Sequence, residues 1–401
     1  MQKLKTKVCI VGGGPAGSTA SLFLSKHKIQ HVLLDKAVFP RNKVCGESFD
    51  GRVWHNLNRI DAQIIPEMQA LGIIENSWKY SISSETMSVD INFDRNKTPR
   101  VVTHRYKFDD YLLNKAKQSE YAQIIENQTV NKTISSENFA TVFSSDYEIE
   151  ADFGLIASGN HSLLKNHKDP KKGIYLFTRS YYQGFKGKSD FEIEILLLKK
   201  NFNGILFIAP IGSGLYNLEV GLKKEDYKRL NISMSEVYDL ALKEYPSVTQ
   251  RLQNATQLEK PKGAFMNLSN SKLNLISGER FLNIGSSAIT VNPITGLGVG
   301  NAMTMARHAA DAIAENLEKK NKSKMVAKFY QTRVKKSLKP ILRTNSIANF
   351  LSKRNVLINI LLFMGSKTKF GKSYLSDHGI LSKVGSLPHL FKTLYRSNST
   401  S

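Results

Sequence analysis

Residues 7–17 read KVCIVGGGPAG. Val8–Val11 is a short apolar run rich in branched side chains, the composition of a parallel strand buried on both faces. It leads straight into glycines, and Gly12, Gly14 and Gly17 satisfy G-x-G-x-x-G. In that pattern the first glycine turns the chain and the second lets a pyrophosphate approach the backbone. The third lets the following helix press against the strand. Pro15–Lys26 places Ala16, Ala20 and Leu24 on one helical face. The first amides of such a helix, with its dipole, attract an anion on the turn. A second apolar strand, His31–Leu34, ends in Asp35, an acid 18 residues after Gly17, where ribose hydroxyls need an acceptor. Strand, glycine turn, helix, strand and terminal acid together predict a Rossmann-type α/β unit for a dinucleotide. Asp35 disfavours a 2′-phosphate, so the residues point to NAD or FAD rather than NADP at this site.

The rest of the chain sets bounds. Its 401 residues suggest two or three domains, and 41% hydrophobic with 23% charged residues describe an ordinary globular protein. Two cysteines, Cys9 and Cys45, make no disulfide framework and fit a reducing compartment. No run approaches the ~18 apolar residues of a membrane span, and the apolar stretch after Lys3, Lys5 and Lys7 is too short for a signal peptide. A cytoplasmic setting is expected. The formal charge is +23, and residues 331–401 hold 13 Lys and Arg against one acid, Asp377. There the cations interleave with Ile347, Phe350, Leu351, Val356, Leu357, Ile360, Leu361, Phe363 and Met364, a mixture suited to an anionic membrane surface. A solvated helical region accounts for the same pattern equally well. Nucleic-acid binding is not expected, because no helix-turn-helix, zinc-finger or ribonucleoprotein motif occurs.

Phe39–Ser48 (FPRNKVCGES) follows the acid-ended strand. It resembles FAD-dependent oxidoreductases of the p-hydroxybenzoate hydroxylase fold, which include aromatic hydroxylases, geranylgeranyl reductases and flavin-dependent halogenases. The PR-x-K-x-CG spacing is similar to geranylgeranyl reductases, and Gly46-Glu47-Ser48 to some halogenases. Three later segments fall in the order of that family. They are Arg105–Leu112 (RYKFDDYL), Ala151–Ser162 (ADFGLIASGNHS) and Phe281–Met303 (FLNIGSSAITVNPITGLGVGNAM). The resemblance covers about residues 5–320. It implies an FAD-binding domain from residues 1–80, 100–172 and 278–330, an antiparallel-sheet substrate domain from 81–99 and 173–277, and a basic helical region from 331–401. It also implies FAD contacts at Gly12, Gly14, Pro15, Ala16, Gly17, Asp35, Lys36, Arg41, Cys45, Gly46, Arg105, Val130, Gly285, Ser286, Pro293, Gly296 and Gly298. Unaided, Pro293–Gly298 reads as a loop opening a helix whose Ala302, Ala306, Ala309 and Ile313 share one face. A helix start aimed at the flavin would stabilise the charge of its reduced form.

The chain departs from the family at two acids. Ser286 stands where Gly-Asp is usual, and Ser158 where hydroxylases place the aspartate of Asp-Gly. Losing a charged acceptor costs on the order of 1–3 kcal/mol.

In the middle, Ile174–Tyr182, Phe191–Leu198, Ile205–Ile208 and Leu215–Val220 alternate as strands ahead of a helix at Ser233–Glu244, with Thr86–Phe93 joining them. Ile205–Pro210 lacks both tryptophans of the halogenase segment, which argues against halogenation. Cys45 and Glu47 are the polar candidates for catalysis beside the flavin, Cys45 as a proton donor if the reaction is a reduction, or as a small buried residue lining the cofactor. His55, His104 and His308 have no triad or metal spacing and read as structural, and no metal site is expected. The expected activity is oxidation of a lipophilic small molecule by an NAD(P)H-dependent monooxygenase. Saturation of prenyl double bonds comes next, then a non-redox binding module, with halogenation last.

Overall fold

The computed structural model describes residues 1–85, 87–96, 98–159, 173–189, 191–268, 273–288, 291, 296–319 and 322–351, with side chains to 339. The first sheet is built on Gln2–Val11, which pairs in parallel with His31–Leu34 on one side and Tyr147–Ile156 on the other. Ala122–Ile125 and Phe281–Asn283 extend it in parallel at the two sides, with Ile276–Ser277 at one margin. Val11 lies level with Leu34 and with Ile156, and Ile156 with Asn283, so four strands end together. The carboxyl ends of parallel strands are where a doubly wound sheet binds ligands.

The helix Pro15–Lys26 covers one face, as its glycine-led spacing predicts. Ala20, Phe23 and Leu24 pack in one core with Val8, Ile10, Leu33 and Leu155. Val299–Asn316 packs beside it through Ala302, Ala306, Ala309 and Ile313, whose small size permits close approach. A third helix, Lys322–Leu351, buries Val326, Tyr330, Val334 and Leu338, one turn apart, in the same core. The Tyr330 hydroxyl donates to the Asn283 carbonyl at 2.6 Å, tying this helix to the end of a central strand. The helix runs through residue 331, where the sequence suggested a boundary. Residues 352–401, most of the basic segment, lie outside the described residues.

The second sheet is antiparallel apart from one parallel pair. Ile174–Gln183, Leu215–Lys223, Gly204–Pro210 and Ile193–Leu198 are neighbours in that order, followed by Lys79–Ser83 and Ser88–Asn92. Lys79–Ser83 spans residue 80, another of the expected boundaries. One face carries Leu176, Leu196, Leu206, Leu218 and Val220 against Val237, Tyr238 and Ala241 of the helix Met234–Lys243. Ser233 starts that helix with a capping box, its side chain accepting from the Glu236 amide while Glu236 accepts from the Ser233 amide. The opposite face of the sheet turns toward the nucleotide-binding half.

Candidate active site

At Gly12 the backbone has φ +107°, and a Cβ there would lie 2.5 Å from the Ala157 carbonyl oxygen. A Cβ on Gly17 would overlap the Gly12 carbonyl. Turn and helix therefore meet backbone to backbone. No side chain caps the helix that follows, so its first amides remain available to an anion. Asp35 accepts from the Gly13 amide at 2.6 Å and the Ala37 amide at 2.8 Å, which holds the acid at the turn. Lys36 is exposed beyond it, and Val130 is buried in a cluster with Val32 and Leu34.

Cations gather beside this turn. Arg41 lies 3.2 Å from the position of a Cβ on Gly14, and pairs with Asp109 at 3.5 Å. Arg105, at the start of the helix Arg105–Lys117, donates to both Asp109 carboxylate oxygens at 2.6 Å. Burial opposes the Arg105 charge, but Asp109 and Cys45 together outweigh it and hold the guanidinium above its ordinary value. Lys43 is pushed down, first by burial and then by Arg105 and Arg41. Positive charge thus exceeds what Asp109 neutralises, which fits a dinucleotide's diphosphate.

The late glycine segment closes on the same place. A Cβ on Gly285 would lie 3.0 Å from that of Ala16 and 3.3 Å from that of Ala302. Ser286 is half-buried in the short 3-10 turn Gly285–Ala288, and Ser158 follows the strand end beside it. Among the described residues nothing lies within 4 Å of a Cβ position on Gly296, and Gly298 begins the helix Val299–Asn316, again without a side-chain cap. Pro293 lies outside the described residues. The Arg52 guanidinium donates to Asn301 at 2.7 Å, bringing this helix start against the segment that follows Cys45–Glu47.

Cys45, Gly46 and Glu47 lie against the antiparallel sheet. Asn217 donates to the Cys45 carbonyl at 2.8 Å, and the Tyr181 hydroxyl donates to Glu47 Oε1 at 2.6 Å. The same oxygen accepts from the Arg105 amide at 3.0 Å, and Glu47 has a left-handed backbone with φ +59°. A side chain in that conformation stores strain that surrounding contacts must offset. Burial pushes the Glu47 carboxyl up to about 7, against the hydrogen bonds from Tyr181 and Arg105. Burial also raises the Cys45 thiol.

Four residues of this wall were not read from the sequence: Arg179, Tyr181, Asn217 and Glu219. Arg179 is fully buried, ion-paired with Glu259 and stacked 3.9 Å over the Tyr181 ring. Glu219 lies directly across from it, and its carboxyl reaches within 3.2 Å of the position of a Cβ on Gly46. Burial, then the charge of Glu47, pushes Glu219 up to about 8, with Arg179 opposing. His104, which looks isolated in the sequence, meets the Tyr181 ring edge-on at 4.8 Å. Burial and then Arg179 push its imidazole down to about 4. Their signal was alternate polar positions in otherwise apolar strands. Among the described residues, no group of three His, Cys, Asp or Glu is placed to hold a metal ion.

Residues 5–339 match the family described as an FAD binding domain. The chain belongs to that family. It is an FAD-dependent oxidoreductase of the p-hydroxybenzoate hydroxylase fold, as Phe39–Ser48 implied. It is 24% identical to the menaquinone reductase of Mycolicibacterium smegmatis, over 77% of this chain and 76% of that one. It is also 24% identical to the tryptophan 2-halogenase of Chondromyces crocatus, over 81% of this chain and 64% of that longer one. Its fold matches a geranylgeranyl bacteriochlorophyll reductase-like protein of Thermoplasma acidophilum. The TM-score is 0.80 at 18% identity, covering 98% of this chain and 100% of that chain. Among the described residues, no helix is long and apolar enough to cross a membrane.

Proposed function

We propose that this family member saturates carbon–carbon double bonds in a lipophilic substrate, drawing electrons from NAD(P)H. Bound FAD supplies the two-electron chemistry. The turn Gly12–Gly17, with Arg41 and Lys43, receives the diphosphate and Asp35 the ribose, while Gly285–Ser286 and Gly296–Gly298 line the remainder.

One observation carries the reading: a single row of side chains crosses five strands of the second sheet. Arg179 is opposite Glu219, Glu219 opposite Phe207, Phe207 opposite Ile195, and Ile195 opposite Ile82. Residues directly opposite each other share one face. The row therefore passes from buried ionisable groups to half-buried apolar ones, Phe207, Ile195 and Ile82. An apolar chain laid along it places a double bond beside Glu219, whose carboxyl burial pushes up to about 8. Saturation needs such a proton as well as a hydride. The reductases among the relatives support the same direction.

Monooxygenation of an aromatic or polyene ranks second, because it uses the apolar strip but gives the raised carboxyls no evident task. Halogenation is disfavoured by the missing tryptophans at Ile205–Pro210.

The test is turnover of menaquinone, whose prenyl chain offers the double bonds, by flavin-loaded protein with NADH or NADPH. Saturated product without oxygen is expected. Oxygen consumption matching nicotinamide oxidation, with no anaerobic product, would move the assignment to monooxygenation. Attraction of residues 331–401 to an anionic membrane is a separate proposal. Co-sedimentation with phosphatidylserine vesicles that survives deletion of 352–401 would end it for that segment.

A further inference from the structure

Three protonatable groups stand on this wall, and they are not equivalent. The Cys45 sulfur accepts from the Glu47 amide at 3.4 Å and interacts with Arg105. Glu47 is 0% exposed, and its Oε1 already accepts from Tyr181 and from the Arg105 backbone. Its carbonyl takes the Thr103 amide at 3.0 Å, so this residue knits loop to sheet and strand and presents no surface to a ligand. Glu219 is 7% exposed, and it lies across the strand from Arg179 with its carboxyl facing Gly46. It sits between Gly46 and the start of the apolar row. A Cβ at residue 46 would stand 3.2 Å from its Oε1 and 3.3 Å from the Phe207 ring, so glycine there leaves the carboxyl approachable. Glu219, which keeps a trace of exposure, can meet a ligand that the fully enclosed Glu47, whose Oε2 is buried without a hydrogen-bond partner, cannot.

We propose that Glu219 is the acid that protonates the substrate carbon, and that Glu47, anchored to Tyr181 and to the Arg105 backbone, is a positioning residue. The proposal deepens the double-bond reductase reading and rests on it. When bound and reduced by NAD(P)H, flavin would supply the hydride for one alkene carbon, and Glu219 would give the proton to the other. The carboxyl O–H breaks, its electron pair stays on oxygen, a C–H bond forms, and the resulting carboxylate recovers a proton from water. The alkene is reduced and the flavin oxidised, so electrons and protons balance.

The groups facing Glu219 define its titration. On its own strand Asn217 is neutral. Arg179 and Tyr181 face it from the neighbouring strand, Phe207 from the other, and Cys45 and Glu47 from the loop. His104 lies behind Tyr181 and stays neutral near pH 7. Burial and the Glu47 charge raise Glu219, so removing Glu47 lowers it.

Infrared titration of the protein without substrate reads this directly. The wild type is expected to show a protonated-carboxyl band that Glu219→Gln removes and that Glu47→Gln shifts to lower pH. With flavin bound, Glu219→Gln is expected to be reduced by nicotinamide at the wild-type rate. Its anaerobic reoxidation by menaquinone should slow by ~10²–10⁴-fold, the usual worth of a positioned acid. Glu219→Asp, which keeps an acid one methylene back, should fall between. Glu47→Gln should move the basic limb of turnover to lower pH. Reoxidation of Glu219→Gln at the wild-type rate, or an unchanged infrared band in that variant, overturns the assignment. If wild-type protein saturates no menaquinone anaerobically, the reductase reading fails instead, and the infrared arm still decides whether Glu219 holds the proton.

Discussion

The nucleotide turn and the sheet face around Glu219 are joined by the segment from Arg41 to Glu47 but are made by opposite means. At Gly12–Gly17 side chains are removed so that backbone can touch backbone, and the anion is met by amides and by cations around Asp109. At the sheet face side chains are added, and ionisable ones are buried among apolar neighbours. At Gly12 and Gly17 the first region tolerates no extra atom. The second tolerates shape changes but responds to protons. Binding and proton transfer thus depend on different physical quantities, steric contact in one place and desolvation in the other.

Substitutions at the turn should be the most damaging. Gly17→Val drives a branched side chain into the Gly12 carbonyl, so the variant should lack bound flavin and lose on the order of 4 kcal/mol or more. An absorption spectrum with a thermal melt checks it, and a yellow, wild-type-like variant would remove the steric side of the contrast.

Breaking the buried ion pair between Arg105 and Asp109 comes next. Asp109→Asn leaves Arg105 buried with half its partner, and ~3–5 kcal/mol is the usual cost of stranding such a charge. Urea unfolding at pH 7 measures it.

The sheet face should show itself in pH dependence. Glu219 is raised from 4.5 to about 8, so the unfolded chain releases this proton first and the native state loses stability as pH rises between those values. Glu47, raised from 4.5 to about 7, acts in the same direction. At about 1.4 kcal/mol per pH unit the change is a few kcal/mol. Glu219→Gln should flatten stability over this window, as denaturant midpoints at pH 5 and pH 9 would show. A variant as pH-sensitive as the wild type would place the strain elsewhere.

Asp35→Asn sharpens the contrast at the smallest scale. It keeps the shape of the turn but weakens acceptance from the ribose, costing ~1–3 kcal/mol in FAD affinity by titration, with little change in pH dependence.

Much of the nucleotide half was legible because its signals are local. The helix Pro15–Lys26 and the strand His31–Leu34 have the bounds that their spacing suggested. The helix after Gly298 buries the alanine face expected of it. In the second sheet the strands were legible but their partners were not. Arg179 and Tyr181 alternate with residues of the packed face, a pattern that strands with one solvated face share. Only pairing with Leu215–Lys223, and the loop laid over both, turns that face inward. His104 was set aside for the same reason, since nothing near it in sequence announces Tyr181.

The chain's own order of residues determined the dinucleotide turn, because its requirements span a few consecutive positions and are met by the absence of side chains. What the tertiary structure decided was which carboxyls keep a proton. That depends on burial and on charges contributed by strands far apart in sequence, and neither exists until the two sheets have met.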